Sequence, residues 1–163
     1  HRVDRRQRQM CIRDRPTTAL DVSVQAQIID VLKEQCTQHG ASVILITHDM
    51  GVIAETADRV AVMYSGRIAE IGPVREIIQN AKHPYTSGLM GSIPTLAQEE
   101  DRLVQIPGSM PRLSDIPPGC PFNPRCDKVF DKCRVHRPSL IPVENREVAC
   151  WLYEDTEARG AAT

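Results

Sequence analysis

The chain has 163 residues, which is enough for one domain and a small appendage. Its formal net charge is −1, so its composition does not indicate a nucleic-acid binder, although residues 1–15 form a local basic run. No apolar stretch approaches the ~20 residues that a membrane-spanning helix requires, and the sequence shows no secretory signal pattern.

A helix is the first element that the pattern of apolar residues predicts. Asp21 is suited to cap its start, and Gly40 is expected to end it. Between these two residues, apolar side chains recur at helical spacing, which indicates one buried face: Val24, Ile28, Ile29 and Leu32.

A strand buried on both faces of a parallel sheet is predicted next. Residues 42–47 read "SVILIT", a continuous run of mostly apolar and β-branched residues. His48 and Asp49 follow directly, at the carboxyl end of this strand, where open α/β sheets bind ligands. A short helix is predicted over residues 50–57.

A hairpin and two helices are predicted after that. Residues 59–72 read as two strands about a Ser65-Gly66 turn. A helix follows with Pro73 near its first turn, and another is predicted over residues 83–93. Beyond residue 94 prolines are frequent, so we expect little regular structure there and a domain boundary near residues 94–104. The tail after Tyr153 is expected to be solvated.

Three stretches within residues 16–93 form a specific combination of motifs. They read "PTTALDVSVQAQII", "VILITHDMGVIAETADRVAVMYSGRIAEIGP" and "HPYTSGL". This combination resembles the ATP-binding subunits of ABC transporters, in the subfamily that powers oligopeptide and dipeptide import. The resemblance implies an α/β fold: the carboxyl-terminal part of an ABC-type nucleotide-binding domain, with a small irregular, Pro-rich, Cys-containing extension.

The resemblance implies roles for residues of a nucleotide-hydrolysis site. Asp14 stands at the position of the Walker B aspartate, which holds Mg²⁺ through water. Ala19, Leu20 and Asp21 match the D-loop, which crosses to a partner subunit. His48 matches the switch histidine, which hydrogen-bonds the γ-phosphate of ATP. The alternative for His48 is a loop histidine whose hydrogen bonds are satisfied locally.

The chain also departs from the pattern of this family. Arg15 stands where the family has its catalytic glutamate, and a guanidinium cannot accept a proton at neutral pH. The sequence contains no G-x-x-x-x-G-K-[ST] phosphate loop and no "SGGQ" signature. We therefore expect a carboxyl-terminal fragment that does not itself hydrolyse ATP, preceded by residues 1–15 that are foreign to the family or disordered. A natural degenerate ATPase is the alternative.

Four of the six cysteines stand in the last third of the chain. Their spacing is C-x5-C-x6-C-x16-C, formed by Cys120, Cys126, Cys133 and Cys150. Without an export signal, this pattern favours metal binding over disulfides. The gaps are long for a zinc ribbon and differ from those of bacterial ferredoxins. Zinc, buried free cysteines and disulfides remain alternatives, with His136 as a substitute ligand; Cys11 and Cys36 are interpreted as structural or incidental.

The tail carries further motifs beside its cysteines: "IPG" at residues 106–108, "PPGCPFNPRC" at residues 117–126 and "AC" at residues 149–150. These resemble the extension of the same peptide-importer ATPases. The resemblance implies a [4Fe-4S] cluster with the ligands Cys120, Cys126, Cys133 and Cys150, and zinc as the alternative. A structural role is expected, because metal–thiolate bonds can fold a segment that lacks a core of its own.

Taken together, the resemblance implies four regions: residues 1–15 unmatched, 16–93 a partial ATPase domain, 94–153 the extension, and 154–163 a flexible tail. The implied function is the coupling of ATP binding and hydrolysis to peptide uptake, with ATP and Mg²⁺ in the intact family member. The implied partners are a second ABC ATPase subunit, two transmembrane permease subunits and a peptide-binding protein, without nucleic acid. The implied location is peripheral, at the cytoplasmic face of the inner membrane.

A function of another class remains open from the sequence. The tail could be the active part of a metal-binding module that works through protein contacts, with the α/β part as a remnant of an ATPase. A nucleic-acid binder built on residues 1–15 is the weakest hypothesis, because it rests on charge alone.

Overall fold

The computed structural model describes residues 22–92 and 105–154, and the chain divides into two units between Met50 and Gly51. Among these residues, no helix combines the length and the apolar character needed to cross a membrane. Several predictions lie outside the described residues: the domain boundary at residues 94–104, the tail from residue 155, and the site residues Asp14, Arg15, Ala19, Leu20 and Asp21.

The first unit contains one described helix, α1 (Val22–His39), which confirms the predicted helix and its end before Gly40. The amide of Ala41 donates to the carbonyl of Cys36 at 3.2 Å, which satisfies one of the carbonyls left unpaired at the helix end. Ile29 is buried at 5% exposure and Ile28 is half-buried, as the apolar spacing predicted.

The prediction of a buried strand at residues 42–47 is wrong for this structure, which assigns them neither helix nor strand. Ile44 and Ile46 are 93% and 91% exposed. A parallel strand becomes buried only when neighbouring strands pair with it and crossover helices cover its faces. No strand within the described ranges pairs with this segment. Within the described ranges, the apolar run therefore lacks the neighbouring strands that its pattern requires.

The second unit is built on an antiparallel hairpin. Strands β1 (Arg59–Tyr64) and β2 (Arg67–Pro73) confirm the predicted pair. Ser65 and Gly66 both have positive φ, 45° and 75°, as two-residue hairpin turns with the right-handed twist of the strands require. The register shifts between Val62 and Met63, which marks a β-bulge.

Three helices accompany this hairpin and confirm the predicted helices. They are α2 (Met50–Thr56), α3 (Val74–Gln79) and α4 (Pro84–Gly91). Val60 and Val62 alternate inward from β1 and meet Ile77 of α3, which is fully buried. This aliphatic cluster forms one core of the second unit.

A second hairpin extends the sheet, and the sequence did not predict it. Strands β3 (Ile141–Val143) and β4 (Arg146–Val148) give the strand order β1-β2-β4-β3. β4 pairs with β2, so a strand of the Pro-rich tail is a central strand of the sheet. The helices and this sheet agree with the α/β class. The tail adds α5 (Asp131–Val135) and three single-turn 3₁₀ helices at Leu113–Asp115, Asn123–Arg125 and Trp151–Tyr153.

The tail also has a core, which corrects the expectation that it lacks one. Val143, Val148 and Cys150 form a buried cluster with Ile141 and Tyr153 packed against it.

An aromatic cluster packs the tail onto the first hairpin. The Phe122 ring lies 5.3 Å from that of Tyr64 and 5.5 Å from that of Tyr85, and the two tyrosine rings are 4.7 Å apart. These rings bury apolar area, and the rings of Tyr64 and Phe122 meet in a favourable edge-to-face geometry. The tail is thus held by packing that involves residues distant in the sequence.

Candidate functional site

The four cysteines of the tail line one pocket, together with His83, which we call the thiol pocket. All four thiols are free, and Cys133 and Cys150 are buried. The structure therefore brings together the residues that the spacing singled out, although Cys120 and Cys150 are far apart in the sequence.

The backbone around Gly119 places the first thiol. Gly119 has a φ of +73°, and a β-carbon at this position would overlap the carbonyl oxygen of Cys133. The amide of Cys120 donates to that same carbonyl at 2.8 Å. The side-chain amide of Asn123 donates to the carbonyl oxygens of Pro118 and Cys120, each at 2.8 Å. The loop and the helix α5 are thus fixed against each other.

The remaining thiols come from three different elements. Cys126 follows the 3₁₀ turn Asn123–Arg125, Cys133 lies in α5, and Cys150 follows β4. Arg125 holds the first of these turns, because its guanidinium donates to the carbonyl oxygens of Pro107 at 2.8 Å and Ile106 at 3.1 Å.

The electrostatics of the pocket favour neutral thiols. Burial, followed by repulsion from the thiolates of Cys120, Cys126 and Cys133, raises the pKa of the Cys150 thiol to about 11. Burial is also the main cause that raises the pKa values of Cys120 and Cys126. Deprotonation of Cys120, Cys126 and Cys150 is therefore disfavoured unless a positive charge compensates it.

The four sulfur atoms share a pocket without forming a compact ligand set. Among the residues that the structure describes, no group of three or more His, Cys, Asp or Glu side chains has the arrangement of a metal site. His136, the alternative ligand, is exposed and does not line the thiol pocket.

His83 is a pocket residue that the sequence reasoning missed. Its side chain is 3% exposed and caps α4 by accepting a hydrogen bond from the Tyr85 amide at 3.0 Å. Burial lowers its pKa to about 4, against the opposing effect of a hydrogen bond with the Ala149 backbone. The sequence offered one signal for this role. Pro is favoured at the first position of a helix, so the His-Pro pair at residues 83–84 places His83 at the position that caps the helix.

His48 lies on the chain directly after the exposed apolar run. It is exposed and belongs to neither a helix nor a strand, so it is not at the tip of a central strand as predicted. The neighbouring Asp49 amide donates to the hydroxyl of Thr47 at 3.0 Å. The switch role of His48 stays a prediction.

Comparison with known proteins finds relatives for the region that contains three of the four pocket cysteines, Cys120, Cys126 and Cys133. Residues 69–133 match the family described as "Oligopeptide/dipeptide transporter, C-terminal region". The chain is 47% identical, over 91% of its length, to the oligopeptide transport ATP-binding protein AppD of Bacillus subtilis, of which it covers 46%. It is 50% identical, over 94% of its length, to the oligopeptide transport ATP-binding protein OppD of Mycobacterium tuberculosis, of which it covers 25%.

A third relative is named as a dipeptide transport protein. The chain is 49% identical, over 88% of its length, to the dipeptide transport ATP-binding protein DppD of Bacillus subtilis, of which it covers 43%. The chain thus spans less than half the length of these relatives. The resemblance to the carboxyl-terminal part of peptide-importer ATP-binding subunits is confirmed, and it disfavours the metal-binding interaction module.

Proposed function

We propose that this chain belongs to the ATP-binding subunit of a peptide ABC importer, which couples ATP binding and hydrolysis to peptide uptake. The observation that supports this most strongly is 47% identity to AppD over 91% of the chain. In this proposal Asp14 holds Mg²⁺, residues 19–21 form the D-loop, and His48 contacts the γ-phosphate. ATP and Mg²⁺ would bind only with a phosphate loop, which this sequence does not contain.

A graft tests this function in a working transporter. Residues 16–163 replace the matching segment of Bacillus subtilis AppD, and peptide uptake is measured in cells that lack AppD. We expect uptake to be restored, and His48→Ala in the graft to reduce it at least about tenfold, because a group that stabilises the transferring phosphate is removed. His136→Ala is the matched control and should leave uptake unchanged. A stably expressed graft without uptake would contradict the proposal.

The chain alone is proposed to be inactive as an ATPase. Arg15 stands in place of the catalytic glutamate, and a guanidinium cannot activate water. Phosphate release from Mg·ATP by the purified chain should not exceed the buffer rate; release above that rate would refute the assignment of Arg15.

The proposed assembly is the one that the resemblance to ATP-binding subunits of peptide importers implies. A second ATP-binding subunit, two transmembrane permease subunits and a peptide-binding protein would complete the importer. The chain would lie peripherally at the cytoplasmic face of the membrane. Co-purification with the permeases from cells that carry the graft is the corresponding test.

The thiol pocket is proposed to hold a [4Fe-4S] cluster, with zinc as the alternative. What supports this proposal is the chemistry of the residues present, because four free thiols line one pocket and thiolates are metal ligands. When bound, the metal would link the loop at Cys120, the helix α5 and the segment after β4 through metal–thiolate bonds. Its role would be structural.

Metal analysis after anaerobic purification tests this site. We expect about four iron atoms and four sulfides per chain and a broad visible absorption, as four thiolates around one cluster imply. Cys126→Ser should remove both, whereas Cys36→Ser, on the separate helix α1, should keep them. A colourless protein with one zinc would reject the cluster, and a protein without iron or zinc would reject the metal site.

A further inference from the structure

The indole of Trp151 joins the segment that follows Cys150 to helix α5, which carries Cys133. Its Nε1–H donates a hydrogen bond at 2.9 Å to the carbonyl oxygen of His136, the residue that ends α5. Its ring lies beneath the ammonium of Lys132, whose nitrogen is 4.0 Å from the ring centroid. Lys132 stands directly before Cys133 on the helix. The indole thus contacts α5 near its start and at its end.

An ion pair links the same two segments. The Lys132 ammonium pairs with the carboxylate of Glu154, at the end of the 3₁₀ turn that begins with Trp151. The cation is attracted by the negative face of the ring, and tryptophan is the aromatic side chain that attracts cations best. Both members of the ion pair are partly exposed, so the pair alone contributes little. The half-buried indole is the part of this contact that reaches the interior.

The same indole lines the thiol pocket, between two segments that are anchored elsewhere. Helix α5 is tied to the first cysteine loop, because the carbonyl of Cys133 accepts a hydrogen bond from the amide of Cys120 at 2.8 Å. The segment of Cys150 is tied to the sheet, because the amide of Ala149 donates to the carbonyl of Ala69 at 2.8 Å. The indole connects these two anchored segments at the pocket itself.

We propose that Trp151 is a positioning residue of the thiol pocket: its indole holds the Cys150 segment against α5 and thereby presents the Cys133 and Cys150 thiols to one ligand. This inference deepens the proposed metal site and rests on it for the identity of the ligand. Thiols that are held in place before a ligand arrives lose less conformational freedom when they bind it. A ring that only covered apolar surface would need neither the hydrogen bond to the end of α5 nor the cation over its face.

Two substitutions separate the parts of this contact. Trp151→Phe keeps an aromatic face for Lys132 but lacks the Nε1–H, and Trp151→Leu removes both. Phe130→Leu is the matched control. Phe130 is an aromatic residue at the start of α5, it is 40% exposed, and it does not line the thiol pocket.

Metal binding by the full chain, reduced and initially metal-free, is the first test. The chain is titrated with Co²⁺, whose absorption reports bound thiolates, and is separately reconstituted with iron and sulfide. We expect Trp151→Leu to bind Co²⁺ about 10–100-fold more weakly than the wild type, as for other residues that orient metal ligands, and Trp151→Phe to lie between the two. Phe130→Leu should stay within about twofold of the wild type. Unchanged affinity in Trp151→Leu, or an equal loss in Phe130→Leu, would overturn the proposal.

Thiol alkylation of the metal-free chain gives a readout that does not require the metal. Mass spectrometry follows the rate at each cysteine. In Trp151→Leu we expect the rates at Cys133 and Cys150 to rise about tenfold, and those at Cys120 and Cys126 to stay within about threefold, because the lost contact joins the first two segments. Equal acceleration of all four thiols would indicate a general loss of stability and would overturn the proposal, as would unchanged rates.

A measurement on the wild type keeps the proposal testable if a variant fails to fold. The chain has one tryptophan, so its indole Nε1–H gives a single signal in the ¹⁵N spectrum. This proton should exchange with solvent at least about tenfold more slowly than that of free indole, and exchange at the free rate would overturn the proposal. If the wild type takes up neither cobalt nor iron and sulfide, the proposed metal site fails, while alkylation and exchange still decide the role of Trp151.

Discussion

The Glu70 carboxylate and the Arg146 guanidinium lie 3.5 Å apart, and both side chains are completely withdrawn from solvent. Glu70 lies on β2 and also accepts hydrogen bonds from the amides of Lys82 and His83. Arg146 lies on β4 and donates to the carbonyl oxygens of Glu76 at 3.1 Å and Asn80 at 2.7 Å. This buried network of hydrogen bonds and ion pairs joins β2 and β4, the same two strands whose pairing holds the tail in the sheet.

Removing the charge of Glu70 should destabilise the second unit. In Glu70→Gln the buried guanidinium of Arg146 keeps Glu76 at 2.6 Å but loses its fully buried counter-charge. We expect a loss of about 3 kcal/mol in the free energy of unfolding, as for other buried pairs that lose one partner. Urea unfolding followed by the fluorescence of Trp151, the single tryptophan, measures it. Glu147→Gln, exposed on the same strand β4, is the control, and equal effects of the two variants would contradict this account.

Gly119→Ala should prevent the loop at Cys120 from forming. The residue has a φ of +73°, and a β-carbon would stand 2.8 Å from the carbonyl carbon of Arg134, beside its overlap with the Cys133 carbonyl. We expect a loss above about 3 kcal/mol, from strain and clash together. Gly91→Ala is the control, because a β-carbon there meets nothing within 4 Å. Thermal unfolding of both variants provides the comparison, and a native-like midpoint for Gly119→Ala would refute the stated geometry.

Phe122→Ala should cost more than the same change at the other phenylalanine. Phe122 is 3% exposed and contacts Tyr64 and Tyr85, whereas Phe130 is 40% exposed. Truncation of a buried phenylalanine costs about 3–5 kcal/mol, and an exposed one costs well under about 1 kcal/mol. Urea midpoints of the two variants give the difference. Similar midpoints would mean that the aromatic cluster does not hold the tail.

Arg125→Lys should loosen the segment around Pro107. The guanidinium donates through two nitrogens to neighbouring carbonyls, and a lysine ammonium does not reproduce this planar fork. We expect a loss of about 1–2 kcal/mol in the free energy of unfolding. Limited proteolysis should show faster cleavage near residues 106–110. Arg112→Lys, an exposed arginine of the same segment, is the control and should keep the wild-type cleavage rate.

Several features of the fold could be predicted because they are encoded over short distances. Helix α1 follows from apolar residues at helical spacing, and the β1–β2 hairpin follows from alternation about Ser65 and Gly66. The strand at residues 42–47 was predicted by the same reasoning and is wrong here. Its composition specifies burial between neighbouring strands, and sequence pattern cannot supply those neighbours.

The β3–β4 hairpin was missed for a different reason. Each strand has only three residues, so no alternating pattern can be recognised in it. Pro142 lies on the edge strand β3, and because proline has no amide to donate to a neighbouring strand, its presence argues against a strand in the sequence. Its position in the sheet depends on the pairing of Glu70 with Val148 and on the buried network around Arg146, which joins residues far apart in the sequence.

The sequence by itself determined the helices α1 to α4, the first hairpin, the four-cysteine pattern and the resemblance to peptide-importer ATP-binding subunits, because periodicity, turn chemistry and motifs are local properties of a chain. Only the tertiary structure decided that β4 lies beside β2, that the four thiols line one pocket, and that His83 lies among them. These arrangements depend on which residues, distant in the sequence, are buried against one another. That burial is decided only when the chain folds.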